Sequence, residues 1–305
     1  VKNKYPIYVI SYGRWHSRYT VKALDRCGAD YSVVIEDSQY EEYAKVISPN
    51  RLLILPQSYK DNYDTCDDLG YTHTKGSGPA RNFVWDHSTA SGAKRHWLMD
   101  DNIENFHRLN HNMKPIANTT AVFRAAEDFV DRYTNVPVAG FNYYSMCKCT
   151  DPVPPYILNT KVYSCLLLEN ASGYKWRARY NEDVDLCLRV LKDGLCTIQF
   201  NAFLAGKVTT KRMKGGNTDE LYKDGTLKKS EMIAALHPDV ASVVWRFNRW
   251  HHHVDYKPFK KNRLIRDEAV PVVKGVNNYG MKLIEVETKK APEGLSCATG
   301  KGSNQ

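Results

Sequence analysis

The chain has no apolar run approaching the roughly 18 residues that a membrane-spanning helix needs. Nor does an apolar segment with a cleavage site stand near its start. No membrane association and a cytoplasmic location are therefore the expectation. Paired Cys-x-x-Cys spacing is missing too. The eight cysteines (27, 66, 147, 149, 165, 187, 196 and 297) are scattered, mostly within apolar runs. That pattern fits reduced, partly buried thiols better than a disulfide frame or a zinc site. Cys147 and Cys149 are too cramped to argue for zinc. A Gly-Lys-Ser/Thr ending is also absent, which excludes a P-loop.

What is present is length and positive charge. A chain of 305 residues can bury a substantial core, as one large domain or a domain with an appendage. Its formal net charge is +9, and the segment from Lys207 to Arg266 alone carries +8. A segment of that kind predicts a polyanionic partner, such as nucleic acid or an acidic membrane surface.

Read in order, the first 60 residues alternate strand and helix. Tyr5–Ser11, Tyr31–Ile35 and Leu52–Leu55 are short β-branched runs. Arg18–Cys27, stopped by Gly28, and Tyr40–Val46 read as helices between them. This is the pattern of parallel βαβ units, so an α/β sheet is expected. Ala121–Tyr133 reads as an amphipathic helix, and Val136–Tyr144, Val162–Glu169 and Leu195–Phe200 as strands.

Three stretches carry chemistry. The apolar run Trp97-Leu98-Met99 ends abruptly in Asp100, Asp101 and Asn102. Ligands of α/β sheets bind beyond strand ends, and hard Mg²⁺ or Mn²⁺ prefers carboxylate and carbonyl oxygens. The plainer alternative is a polar turn. Upstream, Gly76-Ser-Gly-Pro-Ala-Arg-Asn starts a helix with Arg81 in its first turn, where free N–H groups and a guanidinium favour phosphate. An ordinary solvated helix start with one surface Arg is the alternative. Downstream, Asn181 caps a helix that opens with Glu182 and Asp183. Either acid could take a proton from an attacking hydroxyl, or both could simply favour the helix dipole. The dipole lowers such a pKa and the neighbouring like charge raises it.

The remainder is basic. A Gly-flanked loop from Gly206 carries Lys207, Lys211, Arg212 and Lys214 and could close over a diphosphate or stay solvated. The proline-stiffened loop Asp151–Tyr156 is a candidate rim. A short helix at Ser230–Leu236 precedes a second one opened by Pro238, with Val240, Val243, Val244 and Phe247 as its apolar stripe. On another face of that second helix stand Arg246, Arg249 and His253, followed by Lys257 and Lys260, a surface suited to a nucleic-acid backbone. Consecutive His251-His252-His253 do not face one another on a helix, so joint chelation is not expected, although one of them or His237 could reach the metal site.

Taken together, Val9-Ile-Ser-Tyr-Gly-Arg, Val34-Ile-Glu-Asp, Gly78-Pro-Ala-Arg-Asn, Leu98-Met-Asp-Asp-Asn-Ile and Asn181-Glu-Asp-Val-Asp-Leu resemble a GT-A nucleotide-sugar glycosyltransferase, over roughly residues 5–205. The downstream Tyr222-Lys-Asp-Gly225, Lys229, His237-Pro-Asp and Arg249-Trp-His-His resemble the TET-associated glycosyltransferases of phages and their base J relatives. The resemblance implies a GT-A-like (Rossmann-like) mixed, mostly parallel sheet flanked by helices over residues 1–215. A basic helical extension over 216–288 and a disordered tail over 289–305 would follow. It implies transfer of a sugar from a nucleoside diphosphate sugar to the hydroxymethyl group of 5-hydroxymethylcytosine or 5-hydroxymethyluracil in DNA, in the host cytoplasm for a phage-encoded chain. Residue by residue, Ser11, Tyr12, Gly13, Arg14, Glu36 and Asp37 would line the nucleoside pocket. Arg81 and Lys211 would bind the diphosphate, and Asp100 the ribose. Asp101, Asn102 and Asp100 would hold Mn²⁺ or Mg²⁺, with Asn102 standing where the commoner pattern has a second acid. Asp183 or Glu182 would be the base if the enzyme inverts. Lys207, Arg212, Lys214, Arg246, Arg249, His253, Lys257 and Lys260 would meet the DNA. A glycan, lipid or small-molecule acceptor is the alternative within the class. A non-catalytic nucleic-acid-binding scaffold is the alternative outside it, and no protein partner is evident.

Overall fold

The computed structural model describes residues 2–67, 75–149, 153–208 and 226–271. Parallel winding begins at once: β1 (Ile7–Ile10), α1 (Tyr19–Cys27), β2 (Ser32–Ile35), α2 (Tyr40–Ala44), β3 (Leu52–Ile54) and a short α3 (Gln57–Asp61). Gly28 ends α1 with φ 65°, a left-handed cap that suits the missing Cβ. α4 (Gly78–Ala90) leads into β4 (Arg95–Asp100), which turns straight into β5 (Ile103–Arg108). Then come α5 (Ala121–Val130), β6 (Val138–Tyr143), β7 (Tyr156–Leu158), β8 (Cys165–Glu169), α6 (Glu182–Lys192) and β9 (Thr197–Lys207).

These nine strands form one mixed sheet, ordered β3-β2-β1-β4-β8-β6-β9-β5, with β7 also on β9. β1, β2, β3, β4, β6 and β9 run one way, and β5, β7 and β8 the other. The C-terminal ends of β1, β2, β4, β6 and β9 therefore gather on one edge. Both faces are covered, which explains why the strands read as near-continuous apolar runs. One core packs α1, α2 and α5 under Val9, Trp97, Phe141 and Phe200; the other packs α4 and α6 over Tyr8, Leu98, Leu166 and Leu168. At Gly140 a Cβ would press on the Cys165 backbone oxygen, so the close approach of β6 to β8 there requires glycine.

The C-terminal segment departs from the expectation. α7 (Leu227–Leu236) is a helix, but Pro238 opens none. Instead β10 (Ala241–Arg246) and β11 (Arg249–Val254) form an antiparallel hairpin, followed by a 3₁₀ turn at Lys257–Lys261. Val243, Val244, Trp245, Trp250 and Val254 are β-branched or aromatic. Cross-strand pairing and packing against α7 outweigh the coincidental helical spacing of Val240, Val243, Val244 and Phe247. This segment docks on α6 through Val184, Leu188, Ile233, Val240 and Phe259. Tyr222–Gly225 and the tail at 289–305 lie outside the described residues.

The same joint holds a buried charge. Asp185 is fully buried on α6 and accepts from His237 Nε2 (2.9 Å), Arg177 Nη2 (3.1 Å) and Arg189 Nε (2.8 Å). Burial pushes its pKa up, but His237 and the two arginines more than offset that, and it settles at about 2. Such a depressed carboxylate contributes stability at neutral pH that is lost as pH falls from the unfolded value toward about 2. Asp185→Asn is expected to cost about 3 kcal/mol, the low end for a broken buried pair because both arginines keep some solvent. Urea denaturation at pH 7 measures it, and the cost should shrink in acid.

Candidate active site

Beyond the gathered strand ends lies a cleft of about 960 Å³, large enough for a nucleotide-sized ligand. Its floor is the end of β4. Asp100 Oδ1 accepts from Arg81 Nη2 (3.0 Å), while Oδ2 accepts from Ser164 Oγ (2.5 Å) and Lys207 Nζ (2.9 Å). Burial raises its pKa, but Lys207 and Arg81 reverse the effect and hold it well below the usual carboxylate range. Lys207 is lowered by burial and raised more by Asp100, so it stays protonated. Lys207 is the last residue of β9, not part of a solvated loop.

Two helix starts converge on this floor. Arg81, 3% exposed in the first turns of α4, stacks over Trp176 with its guanidinium carbon 4.8 Å from the ring centre. Its Nε donates to Ser77 Oγ (3.0 Å) and lies 3.2 Å from Glu182 Oε1, while its Nη1 is buried without a protein partner. Ser77 Oγ in turn donates to Glu182 Oε1 at 2.6 Å. Ser77 thus joins the start of α4 to the start of α6. Asp183 follows in α6, and its Oδ1 accepts from the Val184 N–H at 2.8 Å. Burial and the Glu182 charge raise its pKa to about 6, and Arg81 and Lys229 pull less strongly the other way. A carboxylate so placed can hold or release a proton near neutrality.

The two neighbours of Asp100 face other ways. Asp101 is 6% exposed; Ser11 Oγ donates to its Oδ2 (2.9 Å) and Arg14 pairs with its Oδ1. Tyr43 closes this cluster, meeting Ser11 Oγ at 2.6 Å and accepting from the Arg14 N–H at 3.1 Å. Asn102 is 1% exposed; its Nδ2 donates to the Val208 carbonyl (3.0 Å) and its Oδ1 is buried without a partner. Every carboxylate oxygen of the trio thus has a protein donor, and the Asn102 Oδ1 alone is left without one. Among the described residues no group of three or more His, Cys, Asp or Glu could hold a metal. In this arrangement a divalent cation would compete with those donors for each carboxylate oxygen.

A family model described as TET-Associated Glycosyltransferase matches residues 5–216. The chain belongs to the TET-associated glycosyltransferase family. That family is named for glycosyltransferases, and the match covers the whole sheet and both helix starts of the cleft. Among solved structures, mannose-1-phosphate geranyltransferase from Thermus thermophilus is similar at 11% identity and a TM-score of 0.30. The likeness covers 67% of this chain, which spans 57% of that protein's length. No curated protein matches. No helix among the described residues is long and apolar enough to cross a membrane.

In this TET-associated glycosyltransferase, Ser11, Tyr12, Arg14 and Glu36 line the cleft together with Arg81, the Asp100–Asn102 trio, Glu182, Asp183 and Lys207. Gly13 and Asp37 lie outside the lining: the Gly13 N–H donates to Gln39 Oε1 (2.8 Å), and Asp37 opens a 3₁₀ turn. Val153–Pro155 do not line the cleft either. Lys211, Arg212 and Lys214 lie outside the described residues. Arg249, His251 and His252 reach the cleft, whereas Arg246, His253, Lys257 and Lys260 are exposed. Cross-strand pairing puts Arg246 opposite Arg249 and Ser242 opposite His253, so these three basic residues do share a face, though a strand face. His237 is committed to Asp185, away from the cleft.

Single-residue reading overlooks part of the lining. Ser164, Tyr143 and Tyr163 sit inside apolar runs, where nothing local marks them. Tyr143 and Tyr163 stack at 5.7 Å, and the Tyr143 hydroxyl meets Ser164 Oγ at 2.7 Å. Burial, then Lys229 and Lys161, lowers His252 to about 4, which leaves it neutral at pH 7.

Proposed function

We propose that this glycosyltransferase moves a sugar from a nucleoside diphosphate sugar to the hydroxymethyl group of 5-hydroxymethylcytosine or 5-hydroxymethyluracil in DNA. The observation that carries the reading is the placement of Asp183 in one cleft with Arg81, Lys207 and Lys229, beneath a hairpin edged with arginine. The acceptor oxygen attacks the sugar's anomeric carbon; that C–O bond forms as the bond from the same carbon to the diphosphate breaks. The hydroxyl proton passes to Asp183, and the diphosphate leaves with the bonding pair. Arg81 and Lys207 offset the charge that develops on it, an interaction stronger in the transition state than before it. The family name supports sugar transfer, and the basic C-terminal surface supports a nucleic-acid acceptor.

The direct test incubates the full chain with candidate donors and DNA carrying either hydroxymethylpyrimidine, then digests to nucleosides for mass spectrometry. A hexose or pentose adduct on the modified base is expected. Transfer only to a glycan or lipid would move the acceptor elsewhere, and no transfer with UDP binding absent would favour a non-catalytic scaffold.

A further inference from the structure

The β10–β11 hairpin presents more aromatic surface than a strand pair requires. Phe247 is 87% exposed, Trp245 56% and Trp250 39%. Phe247 and Asn248 form the two-residue turn between the paired Arg246 and Arg249, with φ of 51° and 55°. Both positions of such a turn favour Asn or Gly, so a phenylalanine there costs backbone strain. Being exposed, it has an edge contact with His251 at 6.1 Å but little burial to offset that cost, and strain of this kind collects at sites of function.

The stem beneath it is firm. Trp245 and Trp250 meet edge to face at 5.0 Å, and Thr226 Oγ1, just before α7, donates to the Trp250 carbonyl at 2.8 Å. Arg249, next to the turn, and His251 and His252 further along β11 belong to the lining of the cleft. The aromatic tip therefore stands at the cleft mouth, beside a lining arginine. That position suits a ligand that also enters the cleft better than a lipid surface.

The proposed function supplies a need for such a tip. The acceptor hydroxyl must come within hydrogen-bond reach of Asp183 on the cleft floor. A stacked base pair holds that group in a groove of the duplex, and a cleft of about 960 Å³ admits a nucleotide but no duplex. We infer that Phe247 is a wedge: it enters the base stack of duplex DNA at the target position and fills the space of the extruded hydroxymethylated nucleotide, while Arg246 and Arg249 engage the flanking phosphates. The inference rests on DNA being the acceptor. It accords with apolar side chains that unstack base steps and with aromatic residues that stack on any base.

The test uses the full chain without donor and a duplex carrying 2-aminopurine beside 5-hydroxymethylcytosine. Wild type is expected to raise the 2-aminopurine fluorescence, and Phe247→Ser, a substitution at an exposed position, to abolish the rise. With donor present, the ratio of duplex to single-strand glycosylation should fall about tenfold in Phe247→Ser, with single-strand activity unchanged. No rise in wild type, or an equal rise in Phe247→Ser, overturns the wedge. So does loss in Phe247→Ser of binding to anionic vesicles, or of self-association, with DNA unstacking intact. A rise that depends on Phe247 without sugar transfer to any hydroxymethylated DNA overturns the functional reading while still showing that Phe247 unstacks duplex DNA, so the two failures are told apart.

Discussion

Asp183→Asn is expected to lower kcat by about a thousandfold while leaving the KM for the donor within a few-fold, as loss of a positioned base does. The carboxamide keeps the shape and removes the only chemistry proposed for this side chain. Two influences act on Asp183 in opposite directions. The α6 terminus favours its charged form, whereas burial and the Glu182 charge disfavour it and win, lifting the pKa to about 6. A base must be unprotonated, so kcat should rise with pH through about 6 and level off above it. Removing the like charge with Glu182→Gln should move that limb to lower pH. Removing a nearby cation with Lys229→Met should move it higher, because Lys229 favours the charged Asp183. A product whose anomeric configuration matches the donor, read by NMR, would sink the role outright.

Much of this arrangement is legible in the chain itself. Parallel winding shows in short β-branched runs separated by helical spacing and closed by Gly28 or Pro56. The site shows where such runs end in acids or where helices begin with Arg81 and Glu182-Asp183. Those signals survive because each is local: a strand end and a helix start are defined by a few adjacent residues. Legibility fails where the deciding contact is distant. Gly206 reads as a loop flank, yet it lies within β9 because β5 passes close by, with Asn105 O 3.1 Å from where a Cβ would be. Lys207 is thereby carried into the ion pair with Asp100. β5 itself follows Asn102 with no turn residue to announce it beyond the trio. Val240, Val243, Val244 and Phe247 satisfy a helical period by coincidence, and the β-branched and aromatic content of 241–254 with Asn248 at the turn is the better guide. Asp101 and Asn102 are spaced as ligands, but which way each side chain turns is fixed by Arg14 and by Val208, residues far off in the sequence.

Those contacts bear on what supplies positive charge in the cleft. A cation on Asp100–Asn102 would have to displace Arg81, Ser164 and Lys207 from one carboxylate and Ser11 and Arg14 from the other. Lys207 already sits on the floor, anchored by Asp100 and Ser164, charged and within the cleft that the diphosphate would occupy. Lys207→Met is therefore expected to reduce kcat by about a hundredfold or more, the scale of losing one preorganised charge at the leaving group. The fold should survive, because the deleted ammonium leaves Asp100 with Arg81 and Ser164 as partners. Chelation separates the two ways of meeting the same demand. If the side chains suffice, EDTA lowers wild-type turnover only a few-fold, and added Mn²⁺ fails to restore Lys207→Met. If EDTA abolishes turnover and Mn²⁺ restores it in wild type and variant alike, a metal carries the charge and Lys207 merely orients Asp100. Donor binding by calorimetry, with and without Mn²⁺, reads the same distinction without relying on turnover.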